Sequence, residues 1–587
     1  AMIGTSGAPG NFFLTPDLVP ITAAGYLAPR PRQGDPGFLD LATSIAREWS
    51  ENRTGFDKDI AITRSQLQSM WKPPAGGQAL DGAKAGETAA RAWLAQYDRK
   101  YGGFGHQPKF PRVNVLGFLL DRGIRLGDPA LLAKIYKSLD QMAAGGMRDQ
   151  LGGAFHRYAV DRFWQVPHFE ILLNENALLA KLYLRAYQAS GKARYAAVAR
   201  AVLDDLVRRL RLPGGGFASS LDSEHEGRDG GYYTWTTREV TRVLGSETAG
   251  PFMDAYLDMK HGLVHGRGIL RLRGAPETLL GIQKKFQDSR AKLLAARVKR
   301  SAQGRDGKVL TSWNALAAGA FAQAARILDD GRYLHIAQEE VANLLAPLAK
   351  GGGRLAHNRW NGKPAGEGFL DDYAFLIQAL LDLYETDFRI GRLDAARELM
   401  KTLISRFQPS LGKSFQLAPP DATSALPGQT VLDEDGLPSG NGAALSSLHR
   451  LVLFGAGEGM EKEAEAVIQG LGQYFAENAA LAPGLLGALD YRAGGAWEII
   501  IVGKLADPRT RALLRQVYAR PLRGTVLALT GPDGSPAAAR WPLLAARPMV
   551  EGKPSAYVCR KRLCKLPVNS TGDLARQLDR LLTPPPK

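Results

Sequence analysis

Hydrophobic residues recur at helical spacing along most of the chain, in one segment after another between residues 88 and 494. The pattern predicts about twelve helices, most of them in pairs that can pack antiparallel: 88–101, 113–126, 130–144, 169–190, 193–210, 310–328, 332–349, 371–388, 391–407, 439–454, 459–479 and 483–489.

A glycine-rich turn recurs between these pairs, as in YGGFGH at 101, LGGAFHRY at 151, PGGGFASS at 213, GGGRLAH at 351 and LGKSFQL at 411. A unit of two helices and a glycine turn, repeated about six times, indicates that each unit buries its apolar face against its neighbours. We therefore predict a mainly α fold, a closed (α/α)6 toroid of six helical hairpins. An open superhelix is the alternative.

Four other parts of the chain depart from this pattern. Residues 1–64 contain two neighbouring strands and one helix, which leave a sheet edge uncovered and so indicate an incomplete α/β segment. Residues 65–87 are predicted to be a linker, and residues 232–300 an insertion that forms a flap beside the toroid mouth. Residues 495–587 change to strand, helix, strand and predict a small α/β appendage.

Composition narrows the class of protein. No run of eighteen apolar residues is present, so no membrane span is expected, and the lack of a signal-peptide pattern predicts a cytoplasmic location. The net charge of +17 is spread over many helices, which argues against a specific nucleic-acid partner. Cys559 and Cys564 could form a disulfide or help to bind a metal, but two reduced thiols are favoured. No cofactor or metal is predicted, and the oligomeric state stays open.

The stretch from 145 to 177 holds the densest group of chemically able side chains. Two short strands, 155–160 and 163–167, are predicted to carry His156, Arg157 and Trp164. A helix over 169–190, entered through Pro167, would place His168, Glu175 and Asn176 on one face. This arrangement predicts a pocket wall, and a buried polar network that ties down the loop is the alternative.

The other turns carry further candidates, and an (α/α)6 toroid would gather them around one mouth. These are His106; Asp222, Glu224 and Trp235; Trp313 and Asn314; Asp372 and Tyr373; and Asn441. Taken singly, Asp372 would only cap its helix and each tryptophan would be a core residue. Together with Arg157, Trp164, Glu175 and Asn176 they predict a concave site for a small molecule, a sugar whose ring faces stack and whose hydroxyls pair.

Three functions are compatible with these residues. The favoured one is epimerase-like proton transfer on a sugar, with His168 and His156 as base and acid, Glu170 orienting them and Arg157 polarising an oxygen. A glycoside hydrolase would instead use two carboxylates, for which Glu170, Asp222, Glu224 and Asp372 are available. The third is a non-catalytic binding or redox-partner protein.

Seven stretches resemble, in chain order, the motifs of the thioredoxin-domain proteins of the spermatogenesis-associated type: GGFGHQPKFP, LGGAFHRYAVDRFW, VPHFEILLNENALL, LTSWNAL, DDYAFLIQALLDLYE, PSGNG and AYVCRKRLC. The resemblance implies an N-terminal thioredoxin-like domain joined to a six-hairpin toroid similar to N-acylglucosamine 2-epimerase and cellobiose epimerase. It brings no settled reaction.

The chain departs from the family pattern at its start. Family members carry a Cys-x-x-Cys site before the segment that resembles GAPGNFFLTPD, in which Pro9 matches the proline that faces that site. The resemblance therefore implies that residues 1–64 are a thioredoxin-like segment without its redox half, and no dithiol redox activity is expected from them. Ala8 stands where the family usually has tryptophan, Glu175 replaces a usual aspartate, and Gly307 replaces another.

Overall fold

The computed structural model describes residues 10–25, 27–31, 36–70, 81–350, 354–410, 414–419, 429–493 and 496–582. The helices in these residues are α1 (Phe38–Glu51), α2 (Arg53–Met70), α3 (Gly82–Ala95), α4 (Val113–Leu126), α5 (Pro129–Ala144), α6 (Leu173–Ser190), α7 (Ala193–Arg209), α8 (Thr237–Leu244), α9 (Ser246–Tyr256), α10 (Leu279–Lys285), α11 (Gln287–Val298), α12 (Thr311–Leu328), α13 (Gly331–Lys350), α14 (Leu370–Asp387), α15 (Ile390–Phe407), α16 (Gly440–Phe454), α17 (Glu458–Gly470), α18 (Gly472–Asn478), α19 (Pro483–Ala493), α20 (Pro508–Tyr518) and α21 (Thr571–Leu582).

The strands are mostly short. They are β1 (Asn11–Leu14), β2 (Pro20–Ala24), β3 (Tyr158–Ala159), β4 (Pro167–His168), β5 (Ile171–Leu172), β6 (Ser220–Leu221), β7 (Glu224–His225), β8 (Arg228–Asp229), β9 (Leu257–Val264), β10 (Arg267–Leu270), β11 (Arg305–Asp306), β12 (Val309–Leu310), β13 (Ala356–Trp360), β14 (Lys363–Glu367), β15 (Trp497–Val502), β16 (Thr525–Thr530), β17 (Ser555–Arg560) and β18 (Leu563–Cys564).

Six inner helices form a closed ring. They contact one another in the order α4, α6, α12, α14, α16 and α19, and α19 returns to contact α4. The outer helices α5, α7, α13, α15 and α17 each pack on the inner helix that precedes them, and α3 packs on α19 as the sixth. The predicted mainly α six-hairpin toroid is confirmed, and its last hairpin joins two segments that lie far apart in the chain.

The inner helices are apolar on most of their circumference, as helices enclosed by neighbours must be. In α12 the small residues of TSWNALAAGAFAQAARIL allow close approach on both sides, to α6 and to α14. The predicted and observed bounds agree closely because glycine turns and apolar periodicity are local signals. The predicted linker 65–87 is helical at both ends, since α2 reaches Met70 and Asp81 caps α3 by accepting a bond from the Lys84 N–H at 3.0 Å.

The predicted helix 169–190 was placed too early. Strand β4 pairs with β3, opposing His168 to Tyr158, and β5 pairs with β6. These backbone hydrogen bonds keep residues 167–172 extended, so α6 begins at Leu173. His168 therefore does not share a helical face with Glu175 and Asn176.

The insertion has a core of its own, built around Trp235, Phe252 and Tyr256. It is anchored to the loop before α6 by the buried ion pair of Arg297 with Asp149, at 2.6 Å. The C-terminal part forms a four-stranded sheet in the order β16-β15-β17-β18, of which β17 and β18 were not predicted.

The cysteine prediction was wrong. Cys559 and Cys564 form a disulfide, because β17 and β18 pair antiparallel in a register that sets the two residues opposite each other. Among the described residues, no helix is long and apolar enough to cross a membrane.

Candidate functional site

A cavity of about 680 Å³ runs along the axis of the toroid, within the size range of small-molecule sites. Its wall is made by the inner helices, and residues 517–525 of the C-terminal part line one end. The other end lies at the N-terminal ends of the inner helices, which we call the mouth. The loops of the glycine turns lead into this mouth.

The positions of the lining residues show which face of each inner helix meets the axis. On α6 the lining includes Leu178, Lys181 and Arg185, and Glu175 lies three residues before Leu178 on the same stripe. On α14 the lining includes Gln378, and Asp371 lies two turns before it on the same stripe. Glu175 and Asp371 therefore face the axis above the cavity.

Four titratable side chains meet at the α6 side of the mouth, namely Arg157, His168, Glu170 and Glu175, which we call the mouth cluster. Arg157 Nη1 lies 2.9 Å from Glu170 Oε2, and His168 Nδ1 lies 4.0 Å from the same oxygen. The pairing of β3 with β4 stacks the His168 ring on Tyr158, with ring centroids 5.0 Å apart. The His168 side chain keeps 32% of its surface exposed, so it is open to a ligand.

Glu175 is the most perturbed member of the mouth cluster. Burial raises the pKa of its carboxyl to about 8, with the Arg157 cation opposing and the Glu170 carboxylate adding to the rise. Only 9% of the residue is exposed. At neutral pH Glu175 is thus mostly protonated and can donate a proton.

Two other mouth carboxyls are shifted in the same direction. Burial and the adjacent Asp372 raise the pKa of Asp371 to about 7. Burial also raises the pKa of Glu434 to about 7, against backbone N–H donors that include Gly484 at 2.9 Å. Glu434 was not predicted as a site residue.

His156 is not available to a substrate, contrary to prediction. It is 2% exposed, its Nδ1 lies 3.0 Å from the Phe169 carbonyl oxygen, and its ring packs edge-on against Phe169 and Tyr233. Burial lowers the pKa of His156 to about 4, so the imidazole is neutral at physiological pH. The proton-transfer role predicted for it is corrected to a core role.

The three asparagines predicted to bind substrate hold the glycine turns instead. Each Oδ1 accepts a backbone N–H bond from a turn phenylalanine, and each Nδ2 donates both to that residue's carbonyl and to a second carbonyl. The pairs are Asn176 with Phe155, Asn314 with Phe217 and Asn441 with Phe415, with Oδ1 distances of 2.7, 2.7 and 2.8 Å. Because both amide N–H groups are used, no donor is left for a ligand.

Asp372 and Tyr373 serve the fourth turn in a similar way. Asp372 accepts backbone N–H bonds from Ser312 at 2.8 Å and Phe369 at 2.9 Å, and lies 3.0 Å from His357 Nδ1. The Tyr373 hydroxyl accepts the Leu355 N–H at 2.9 Å. Both side chains are fully buried, which fits helix capping better than substrate contact.

The remaining predicted residues are not gathered at the axis. His106, Asp222 and Glu224 are exposed on loops and hairpins. Trp164 and Trp235 are core residues, and Trp313 is half-buried against the core. Of the predicted site, the structure brings together the mouth cluster alone.

A chain of alternating charges crosses the cavity, and it was missed. Lys181 lies 3.2 Å from Asp382, which lies 3.0 Å from Arg450; Arg450 lies 3.1 Å from Glu385, which lies 3.2 Å from Arg326. We call these five residues the charge chain. A signal was present in AFLIQALLDLYE, where Gln378, Asp382 and Glu385 are polar at helical spacing in an otherwise apolar stretch.

Comparison with known proteins finds sequence relatives along nearly the whole chain. Residues 1–68 match the family model described as Thioredox_DsbH, protein of unknown function, DUF255. The human spermatogenesis-associated protein 20 is 28% identical over 624 residues, which cover 97% of this chain and 79% of that protein.

Two solved structures of carbohydrate-active enzymes align with the chain at low sequence identity. The GH76 α-mannanase of Bacteroides thetaiotaomicron aligns at 10% identity with a TM-score of 0.44, covering 70% of this chain and 96% of that chain. The cellobiose 2-epimerase of Spirochaeta thermophila aligns at 14% identity with a TM-score of 0.31, covering 66% and 98%. From the sequence matches, the chain resembles the spermatogenesis-associated proteins with a thioredoxin-like domain along nearly its whole length, as its motifs predict.

Proposed function

We propose that the protein binds a sugar in the axial cavity and exchanges protons with it at the mouth cluster. The observation that carries this proposal is the position of Glu175. Its protonated carboxyl faces the axis one helical turn above the cavity, beside the half-exposed His168 and the Arg157–Glu170 ion pair.

Each member of the cluster has a distinct part. Epimerisation next to a carbonyl needs a base and an acid, and an imidazole is suited to accept a proton near neutral pH. Stacking on Tyr158 orients the His168 ring, and Glu170 supplies a carboxylate 4.0 Å from its Nδ1, beyond hydrogen-bond distance. Glu175 replaces His156 as the acid, and Arg157 polarises a substrate oxygen.

A second candidate is glycoside hydrolysis, favoured by one observation. Glu175 and Asp371 both face the axis from different inner helices, and burial raises the pKa of each, to about 8 and about 7. A glycosidase needs one protonated and one ionised carboxyl on either side of the bond it cleaves. Asp222, Glu224 and Asp372, considered earlier for this role, lie outside the axis-facing set.

The test has two steps. A thermal-shift screen against mono- and oligosaccharides identifies a ligand, since a ligand at 100 times its dissociation constant stabilises by roughly 2.7 kcal/mol. The ligand is then incubated with the protein in D2O. Deuterium on a sugar carbon indicates proton transfer, and new reducing ends indicate hydrolysis.

We expect Glu175→Gln and His168→Gln each to lower turnover by about 100-fold or more, because neither glutamine can shuttle a proton. Glu224→Gln, which changes an exposed carboxylate away from the axis, is the matched control. Ligand binding with neither product would assign a non-catalytic binding function. A fully active Glu175→Gln protein would overturn the proposed acid.

A further inference from the structure

The charge chain begins and ends on a cation. Asp382 lies between Lys181 and Arg450, and Glu385 lies between Arg450 and Arg326, so two carboxylates serve three cations. All five side chains are at most 18% exposed. The chain therefore carries one positive charge in excess among largely buried side chains, where an unbalanced charge is costly without a counter-ion.

Asp382 stays ionised in the charge chain. Burial acts to raise the pKa of Asp382, but the neighbouring Lys181, Arg450 and Arg326 hold it well below its usual range. Burial opposes the charge of Arg450, yet Glu385 and Asp382 raise the pKa of its guanidinium above the usual range. The central pair of the charge chain, Asp382 and Arg450, is thus charged at neutral pH.

The rest of the lining does not cancel this excess. At the periphery the exposed carboxylates of Glu461 and Glu465 are matched by the exposed Arg560 and Lys561. Asp121, nearer the C-terminal part, is itself shared by two arginines, Arg185 and Arg523.

The carboxyl groups at the mouth do not neutralise the excess positive charge of the charge chain either. Burial is the main cause that raises the pKa of Glu175 to about 8 and those of Asp371 and Glu434 to about 7, so these carboxyls carry less negative charge at neutral pH than exposed ones would. An anion that enters from the mouth therefore meets weak repulsion before it reaches the cations.

Gly319 keeps Lys181 accessible. A β-carbon at this position would stand 3.1 Å from Lys181 Nζ and 3.2 Å from Asp382 Oδ2. Any larger side chain of α12 would therefore occupy the space beside the ammonium group. Gln323 and Gln378 also line the cavity and supply neutral hydrogen-bonding groups suited to hydroxyls.

From this geometry we propose that the axial cavity takes an anionic sugar, one that carries a carboxylate or a phosphate group, and that Lys181 and Arg326 at the two ends of the charge chain bind the anionic group. This inference rests on the proposed function, which requires a sugar but does not specify its charge. The sugar ring lies toward the mouth cluster, and its anionic group lies deeper in the cavity.

The test compares ligands of matched shape by calorimetry on the full chain at pH 7. Glucose, glucuronate and glucose 6-phosphate are the sugar probes, and acetate and inorganic phosphate are the sugar-free probes. We expect at least one anionic sugar to bind 10-fold or more tightly than glucose and than its sugar-free anion. The comparison of glucuronate with glucose 6-phosphate shows whether the cavity prefers a carboxylate or a phosphate group.

Lys181→Gln should remove most of this preference while leaving the affinity for glucose within about 2-fold, because glutamine still pairs with Asp382 but carries no charge. Arg326→Gln provides an independent variant if Lys181→Gln fails to fold. Lys401→Gln, which removes a lysine paired with Glu398 at 2.9 Å on an outer helix, is the matched control and should keep the preference.

The outcomes separate this inference from the proposed function. Equal binding of glucose and the anionic sugars would overturn the anionic class and leave the proposed function standing. Inorganic phosphate or acetate binding as tightly as the sugars would reduce the site to a simple anion site and overturn the inference. If no sugar binds, while the protein is folded, both fail.

Discussion

Burial decides what each titratable residue at the mouth can do. His156 and Glu175 are both mostly uncharged near neutral pH, because burial disfavours the charged form of each group. Burial lowers the pKa of the His156 imidazole to about 4 and raises the pKa of the Glu175 carboxyl to about 8. The buried histidine can then only fill space and bond to the Phe169 carbonyl. The carboxyl keeps a proton to donate.

The free energy of unfolding should depend on the protonation state of Glu175. Its pKa rises from an ordinary 4.5 to about 8 on folding, so between these values the folded state binds more protons than the unfolded state. The free energy of unfolding therefore falls as pH rises from 4.5 to 8. Above pH 8 the ionisation of Glu175 lowers it no further. Glu175→Gln should match the wild type at pH 4.5 and exceed its unfolding free energy at pH 9 by on the order of 4 kcal/mol.

Chemical denaturation at a series of pH values measures this difference. Glu224→Gln, an exposed change, should follow the wild type throughout. If Glu175→Gln were instead less stable than the wild type at pH 9, the carboxylate would be gaining more from Arg157 than burial costs it.

At the scale of elements, three of the glycine turns are each fixed to the inner helix that follows by one amide side chain. The same arrangement occurs at Asn176, Asn314 and Asn441, on helices α6, α12 and α16. A side-chain amide resembles a backbone peptide unit in its carbonyl acceptor, but it offers two N–H donors where the backbone offers one. The recurrence explains why these turns look alike in the sequence.

Asn314→Ala should destabilise the protein by roughly 3 kcal/mol, because the Phe217 N–H and C=O and the Leu310 C=O lose their partner in a buried place. Asn314→Asp should recover part of this loss by keeping the acceptor. Asn114→Ala, which removes an amide at the start of α4, is the matched control and should cost much less. Similar melting temperatures for Asn314→Ala and Asn114→Ala would contradict a stabilising role for the Asn314 hydrogen bonds to the glycine turn.

Sequence reasoning succeeded for elements whose signals are local. Apolar periodicity and glycine turns predicted most inner and outer helices within a few residues. It failed where distant segments decide the outcome. Pairing with β6, about fifty residues away, keeps 171–172 extended, and a register between unpredicted strands joins Cys559 to Cys564.

The candidate site shows the same limit. The segment 145–177 stays a predicted site, and within it the structure brings Arg157, His168, Glu170 and Glu175 close together. The sequence left the roles of Asn176 and His156 open between a pocket wall and a buried polar network, because a polar residue looks the same in sequence whether it bonds to backbone or to a ligand. The charge chain joins α6, α12, α14 and α16, and only the closed ring brings those helices together.

At the scale of the whole molecule, one joint closes the toroid. Trp93 of α3 donates its indole N–H to the Ala480 carbonyl at 2.8 Å and packs edge-on against Phe104. Next to it α19 contacts both α3 and α4. Because α3 and α19 lie far apart in the chain, packing and this hydrogen bond hold the last hairpin together.

Trp93→Ala should weaken this joint selectively, with a loss of roughly 3 kcal/mol for a partly buried tryptophan and its hydrogen bond. Hydrogen exchange should then rise in α3, α4 and α19 before it rises in α13–α15, on the far side of the ring. Trp360→Ala, at an exposed tryptophan, is the control. A uniform rise over all six hairpins would mean that the ring opens as one unit.

The same joint sets the order in which the protein can form during synthesis. The residues bonded across it are 387 positions apart, and a ribosome adding 5–20 residues per second needs on the order of tens of seconds to span them. Throughout that interval α3, which buries Ala85, Ala89 and Ala90 in the folded protein, lacks its contacts with α19. We therefore expect these small apolar residues of α3 to be accessible to chaperones on the nascent chain until α19 emerges. A chain that ends before α19 is made would leave this surface of α3 exposed.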